Sequence, residues 1–288
     1  MKLATFHDGA ATRLGLVEGE EIVDLATGDD RFPDDWIPLL AAGPEGLEAA
    51  RRAAGSARRL PLSSVRLGPP ITRPRKFLGL GLCFRSHIEE IRAKGGPIPD
   101  HQLWFNKQVT SLNGPYEPIH MPGVSRELDY EGEVAIVIGK RARHVRSRDA
   151  AAIIAGYMVC NDVSVRDWQR RSPTGTLGKS FDTHGPTGPW LTTADEVPDP
   201  ADLRIRTWVD GELRQDGNTS DLIYSFGDMI EELTTVFTLE PGDILTTGTP
   251  SGVGQGFSPP RYLTEGQVVR VEVEGLGQLE NEVVPEPR

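Results

Sequence analysis

Cysteine is nearly absent from this chain of 288 residues, which carries only Cys83 and Cys160. Two thiols so far apart give no disulfide framework and suit a reducing cytoplasm. Long apolar runs are missing too. The start, Met1-Lys2-Leu3-Ala4-Thr5-Phe6-His7-Asp8, lacks the stretch of a signal peptide, and the longest weakly polar run, 150–160, is too short to span a bilayer. No membrane partner is expected. Basic charge is in deficit, with a formal net charge of −11, which argues against nucleic-acid binding, since phosphates call for a Lys/Arg surplus. An anionic small molecule remains open, because local Arg and Lys can reverse the field inside a cleft. Three familiar signatures also fail. Thr247-Gly248-Thr249-Pro250-Ser251-Gly252-Val253-Gly254 lacks the Gly-Lys-Ser/Thr ending of a phosphate loop, Gly79-Leu80-Gly81 has no third glycine, and there is no Gly-x-Ser-x-Gly elbow.

What is present is the composition of an ordinary globular protein, 25% charged and 38% hydrophobic. Short strands are predicted over 3–6, 13–17 and 21–25, then helical patterns over 36–40 and 45–58. The proline-rich stretch Gly68-Pro69-Pro70-Ile71-Thr72-Arg73-Pro74 marks a connector. It separates a small accessory domain, 1–70, from a larger one, 71–288. The larger part reads as strand 76–82, a helix over 86–94 capped by Ser86, strand 131–139, an Ala-rich helix from Ser147, and a strand through 157–160. A hairpin follows over 204–215 around Asp210-Gly211, then one helix face of Ile223, Phe226, Ile230, Leu233 and Phe237, and a closing strand at 268–273. Strands outnumber helices without regular alternation, so the class is strand-rich α+β rather than a doubly wound sheet.

Within strand 131–139, Glu131-Gly132-Glu133 places two carboxylates on one face. Side by side they repel unless a cation or a shared proton lies between them; on spacing alone a solvated strand end and a metal site both stay open. Asp162, just after Met158-Val159-Cys160, is either a turn former or a third oxygen ligand. If 162–169 is helical, Asp162, Arg166 and Gln169 share a face and could fork onto a substrate carboxylate; the alternative is a surface ion pair. His87 and Glu90, three apart, make either a carboxylate-oriented general base for water or a local surface pair. Lys179, between Gly178 and Ser180, is an oxyanion stabiliser or a solvated lysine.

Taken together, several segments resemble the fumarylacetoacetate hydrolase family. They are Asp129-Tyr130-Glu131-Gly132-Glu133-Val134-Ala135-Ile136-Val137-Ile138-Gly139-Lys140, Gly156-Tyr157-Met158-Val159-Cys160-Asn161-Asp162-Val163-Ser164, Arg166-Asp167-Trp168-Gln169, Gly178-Lys179-Ser180-Phe181-Asp182-Thr183 and the 247–254 stretch, in the family's order across 76–275. The resemblance implies a mixed β-roll with a small N-terminal α+β domain, assembled as a homodimer. It implies Glu131, Glu133 and Asp162 as ligands of Mg²⁺ or Mn²⁺, with Ca²⁺ as a third candidate. It implies His87 and Glu90 as a dyad ordering over substrate, and Arg166, Gln169, Lys179 and Thr249 around the 2-oxo-carboxylate end. One departure stands out: the family's Asn-Tyr-x-Asp-His is replaced by Cys83-Phe84-Arg85-Ser86-His87, which alters the polar surroundings of the dyad.

The resulting expectation is a metal-dependent hydrolase that cleaves a C–C bond of an acylpyruvate or related 2,4-dioxo acid, as in aromatic catabolism. His87, Glu90 and Lys179 are its expected catalytic groups. A lyase or isomerase on the same scaffold (oxaloacetate-type decarboxylase, 2-oxo acid hydratase or 2-hydroxyhepta-2,4-diene-1,7-dioate isomerase) shares the enolate chemistry. A non-catalytic binding protein is the third reading.

Overall fold

The alternating run after Glu133 forms the centre of the molecule. The structure, a computed structural model, describes residues 1–9, 11–29, 32–95 and 100–287. The strand Gly132–Ile138 is buried at every position. Val134, Ile136 and Ile138 enter one core, Ala135 and Val137 the other, as a period of two dictates for a strand covered on both faces. It pairs antiparallel with Ile154–Asn161 on one side and Ile244–Thr246 on the other. Phe77–Gly81 runs parallel to Ile244–Thr246, and Leu103–Lys107 closes that edge.

On the opposite side Gly185–Thr193 links the sheet to an N-terminal meander of Lys2–Asp8, Ala11–Glu18, Glu21–Asp24 and Arg58–Pro61. Residues 1–70 therefore share a backbone-paired sheet with the rest, Lys2 and Leu3 facing Thr192 and Leu191. The Trp36 indole N–H donates to the Ala4 carbonyl at 3.1 Å beneath this meander. A second sheet runs in the order Glu212–Asn218, Arg204–Val209, Val268–Val273, Gly277–Pro285, Ile119–Met121. Its Ile205, Val269 and Val271 share a core with Val134 and Ile136, to which the helix Phe226–Val236 adds Met229, Ile230 and Leu233. The strand-rich α+β architecture is as expected.

Several local readings change. The predicted helix face from Ile223 to Phe237 is shortened at both ends. Ser225 caps the helix in a capping box with Asp228, so Ile223 precedes it and Phe237 lies just past its end. Ser86 is not a cap. The helix is Arg85–Ala93, Phe84 at its N-cap makes no side-chain bond, and Asp221 from another loop accepts the Ser86 N–H at 2.9 Å. The Ala-rich segment Ser147–Ile153 is a 3-10 helix, Pro44–Ala54 ends before Arg58, which starts a strand, and Gly277–Pro285 follows the strand expected to be last. The Asp210-Gly211 hairpin forms as read, with φ of 49° and 79° at its two turn residues, the left-handed pair a type I′ turn requires.

Candidate active site

Gly132 pairs with Asn161, so the beginning of one strand meets the end of its neighbour. That register brings Glu131, Glu133 and Asp162 together, all buried, with ligand oxygens within 4.8 Å of one another. The Asn161 side-chain oxygen accepts the Glu131 N–H at 3.0 Å, and the Glu131 carbonyl accepts the Asp162 N–H at 2.9 Å. Glu133 is anchored from the loop that follows the strand Ile244–Thr246, its Oε2 accepting the Gly248 N–H at 2.8 Å. Residues 162–169 are not one helix. Ser164–Val165 pairs with Leu128–Asp129, and the helix begins at Arg166. Asp162, Arg166 and Gln169 thus converge through the sheet, not through helical spacing.

Three buried cations interleave with the carboxylates. Lys179 Nζ stands 2.6 Å from both Glu131 Oε2 and Asp162 Oδ2. Lys107 Nζ donates to Asp162 Oδ1 at 2.7 Å and to the Lys179 carbonyl at 2.5 Å. Arg166 Nη1 lies 2.6 Å from Glu131 Oε1 and donates to Gln169 Oε1 at 3.0 Å. The predicted fork of Arg166 closes on a protein carboxylate, Asp129, with Nε and Nη2 each 2.8 Å from Oδ2. Burial opposes charge on Glu131, but Lys179 and Arg166 outweigh it and hold the carboxyl well below the usual range. Burial, then Asp162 and Glu131, push Glu133 up. Burial works against the Lys179 ammonium, yet Asp162 and Glu131 more than compensate and raise it.

His87 faces this group across a cavity of about 390 Å³ that Glu131, Arg166, Gln169, Lys179 and Thr249 also line. Its Nδ1 is 2.8 Å from Glu90 Oε2. Thr249 is more structural than expected, its hydroxyl donating to the Gly132 carbonyl at 2.9 Å while accepting from Gln215 at 2.7 Å. The apolar part of the lining is Leu80, Ile91, Leu103, Trp104 and Phe105, with the Phe105 ring centroid 4.6 Å from Lys179 Nζ. Cys83, where the family has Asn, lies beneath the metal-side loop and donates its thiol to the Thr247 carbonyl at 2.6 Å. Burial, then Glu133 and Glu131, push that thiol up. Lys107 and Asp129 escaped the sequence reading; Asp129 sat inside a quoted motif, whereas nothing in Leu103-Trp104-Phe105-Asn106-Lys107 points to a partner 55 residues away.

Residues 76–284 match the model of the fumarylacetoacetate (FAA) hydrolase C-terminal domain. The chain belongs to the fumarylacetoacetate hydrolase family. Among its relatives, the mitochondrial oxaloacetate tautomerase Fahd2a of Rattus norvegicus is 41% identical over 268 residues, 92% of this chain and 85% of that protein. The fumarylacetoacetate hydrolase of Exiguobacterium antarcticum superposes with a TM-score of 0.87 at 35% identity, covering 99% of this chain and all of the other. A maleylpyruvate hydrolase of Sphingobium sp. SYK-6, solved with manganese(II) and pyruvate, gives 0.82 at 35% identity over the full length of both.

The residues present fit a hard divalent cation. Their donors are all carboxylate oxygens held within 4.8 Å of one another, and burial together with repulsion from Asp162 and Glu131 raises Glu133, a cost that a bound cation would relieve. Family relatives act as hydrolases, isomerases and tautomerases, so an enzyme of this broad type is the reading the family supports.

Proposed function

We propose that this family member is a divalent-metal-dependent hydrolase of acylpyruvates or related 2,4-dioxo acids. The observation that carries the reading is that His87, paired through Nδ1 with Glu90, lines one cavity with Glu131 of the acidic trio. Glu131, Glu133 and Asp162 would hold Mg²⁺ or Mn²⁺, which when bound supplies Lewis-acid polarisation of the substrate's 2-oxo-carboxylate end. With Nδ1–H donating to Glu90, the His87 Nε2 carries the free lone pair and takes a proton from water. The resulting hydroxide adds to the distal carbonyl, and the C–C bond breaks with its electron pair passing into a pyruvate enolate. His87 returns its proton to the enolate carbon, so the products are pyruvate and a carboxylic acid. The buried Lys179 ammonium, on the cavity wall, offsets negative charge as it develops. The apolar part of the lining suits an acyl chain. We further place the enzyme in a reducing cytoplasm, in keeping with two buried free thiols, and as a homodimer, in keeping with the family resemblance.

A second reading, tautomerisation of a 2-oxo diacid, is favoured by the naming of relatives near 40% identity as oxaloacetate tautomerases. It uses the same base without the water. An ultraviolet assay of acylpyruvates, fumarylpyruvate and oxaloacetate, with and without chelator, separates the two. Pyruvate plus acid marks hydrolysis; loss of enol absorbance without pyruvate marks tautomerisation. His87→Ala is expected to lower turnover by about 10²- to 10⁴-fold while sparing metal binding, and Glu131→Ala to abolish both. Unchanged turnover in either variant refutes the assignment, and no turnover of any substrate with Mg²⁺ or Mn²⁺ leaves a binding protein.

A further inference from the structure

The buried Asp129 carboxylate accepts from two parts of the site at once. Oδ2 takes the Arg166 Nε–H at 2.8 Å and the Gln255 N–H at 3.0 Å; Oδ1 takes the Gly254 N–H at 2.6 Å and the Tyr130 N–H at 2.9 Å. Arg166 in turn pairs with Glu131. Gln255 and Gly254 belong to loop 252–257, and the other side of that loop holds the helix that carries His87. There the Gly252 N–H donates to Glu90 Oε1 at 3.1 Å, and Lys94 Nζ donates to the Gln255 and Phe257 carbonyls at 2.5 and 3.1 Å. The Tyr130 hydroxyl adds a bond to the Gly252 carbonyl at 2.9 Å. Glu90 Oε2 then meets His87. The loop is so tightly enclosed that a Cβ on Gly254 would sit 2.5 Å both from Asp129 Oδ1 and from the Arg261 carbonyl, separations real side chains do not reach.

We propose that Asp129 is a positioning residue that sets both walls of the cavity, fixing the Arg166 guanidinium directly and the His87–Glu90 pair through loop 252–257. Charge-assisted bonds to a buried carboxylate are the stronger kind, and linked in a network they hold their geometry more firmly than pairs taken singly. In Asp129→Asn one oxygen becomes an NH₂ group, which accepts nothing: whichever oxygen is replaced, the loop loses its bond at Gly254 or at Gln255, and the negative charge facing Arg166 is gone. The proposal depends on the functional reading only for naming His87 as proton carrier, so its test does not use turnover.

Amide hydrogen exchange of the full-length protein reads it out. In Asp129→Asn, exchange in 252–257 and in 85–93 is expected to rise at least tenfold relative to the distant hairpin 204–218. Gly254→Ala, which leaves the carboxylate and Arg166 intact but pushes the loop away, is expected to give the same pattern, and it decides the matter if Asp129→Asn does not fold. Arg166→Met, which leaves the loop bonds in place, is expected to spare 85–93. A rise confined to 252–257, or one shared equally by the hairpin as general loosening would produce, overturns the proposal. Failure to turn over any 2-oxo acid would sink the functional reading and leave this result standing.

Discussion

His184 offers a test of how the segment that follows Lys179 is packed. The ring is buried, its Nε2 donates to the His120 carbonyl at 2.8 Å, and it stacks on Phe181, which meets Trp168 edge-on. Burial, with Lys107 also nearby, pushes its pKa down to about 3, against an ordinary value of about 6.5. Below pH 6.5 the unfolded chain takes up a proton at this ring, whereas the native protein does not until about pH 3. The unfolded state then binds more protons, so stability falls as pH drops through this window and levels off on either side. At pH 4.5 the difference is about two pH units below the unfolded value, or roughly 3 kcal/mol at 1.36 kcal/mol per unit. His184→Gln keeps a donor for the His120 carbonyl and removes the titration. Urea unfolding at pH 7 and 4.5 should show the wild type losing roughly 3 kcal/mol more than the variant, because other titrating groups cancel in the comparison. Equal acid losses in both proteins would refute a neutral buried ring.

Two further substitutions probe the acidic trio. Lys107→Met breaks a buried ion pair and should cost about 3–5 kcal/mol in denaturant unfolding without added metal. Because a positive charge is removed beside Asp162, the gain in stability on adding Mg²⁺ should be larger than in the wild type; a smaller gain would mean that Lys107 acts through shape alone. Gly248→Ala forces a side chain into φ of +82° and into collision with Cys83 Sγ and the Leu80 carbonyl. It should cost about 1–3 kcal/mol in strain and, by displacing the N–H that holds Glu133, weaken Mn²⁺ binding by about 10- to 100-fold in a calorimetric titration. Wild-type affinity would show that Glu133 is held by other contacts.

The parts of this site that were legible in the sequence share one property: the signal and its consequence lie on the same element. Glu131-Gly132-Glu133 opens an alternating run, and although Glu131 stands just before the strand, the two-residue spacing still puts its carboxylate beside that of Glu133. The left-handed turn at Asp210-Gly211 is likewise encoded where it occurs. The errors arose where a distant element overrides a local pattern. Ser86 is in a suitable place to cap, but Asp221 from a loop 135 residues away takes the helix N–H. The 162–169 stretch has helical spacing, but pairing of Ser164–Val165 with Leu128–Asp129 extends the backbone first. For the helix at Phe226 the missed evidence was local: Ser225 and Asp228 already spell a capping box. Lys107 could not be read at all, since its function depends on which strand its own strand flanks.

The same charges bear on how a chain of net charge −11 could accept the anionic substrate proposed for it. Within the buried cluster, Asp129, Glu131, Glu133 and Asp162 face Lys107, Arg166 and Lys179. Four carboxylates against three cations leave one negative charge in excess, which burial makes costly and which the raised Glu133 expresses. A divalent cation would turn that excess into one positive charge, and a substrate carboxylate would neutralise it. Had the chain lacked Lys107 or Arg166, cation and substrate together would leave the site negative; with a fourth basic residue, it would be balanced with no cation at all. The number of buried basic residues is therefore matched to the acidic group beside them. It is this local balance, set by seven side chains drawn from five separate stretches of sequence, that would let the cavity admit an anion despite the chain's acidic net charge.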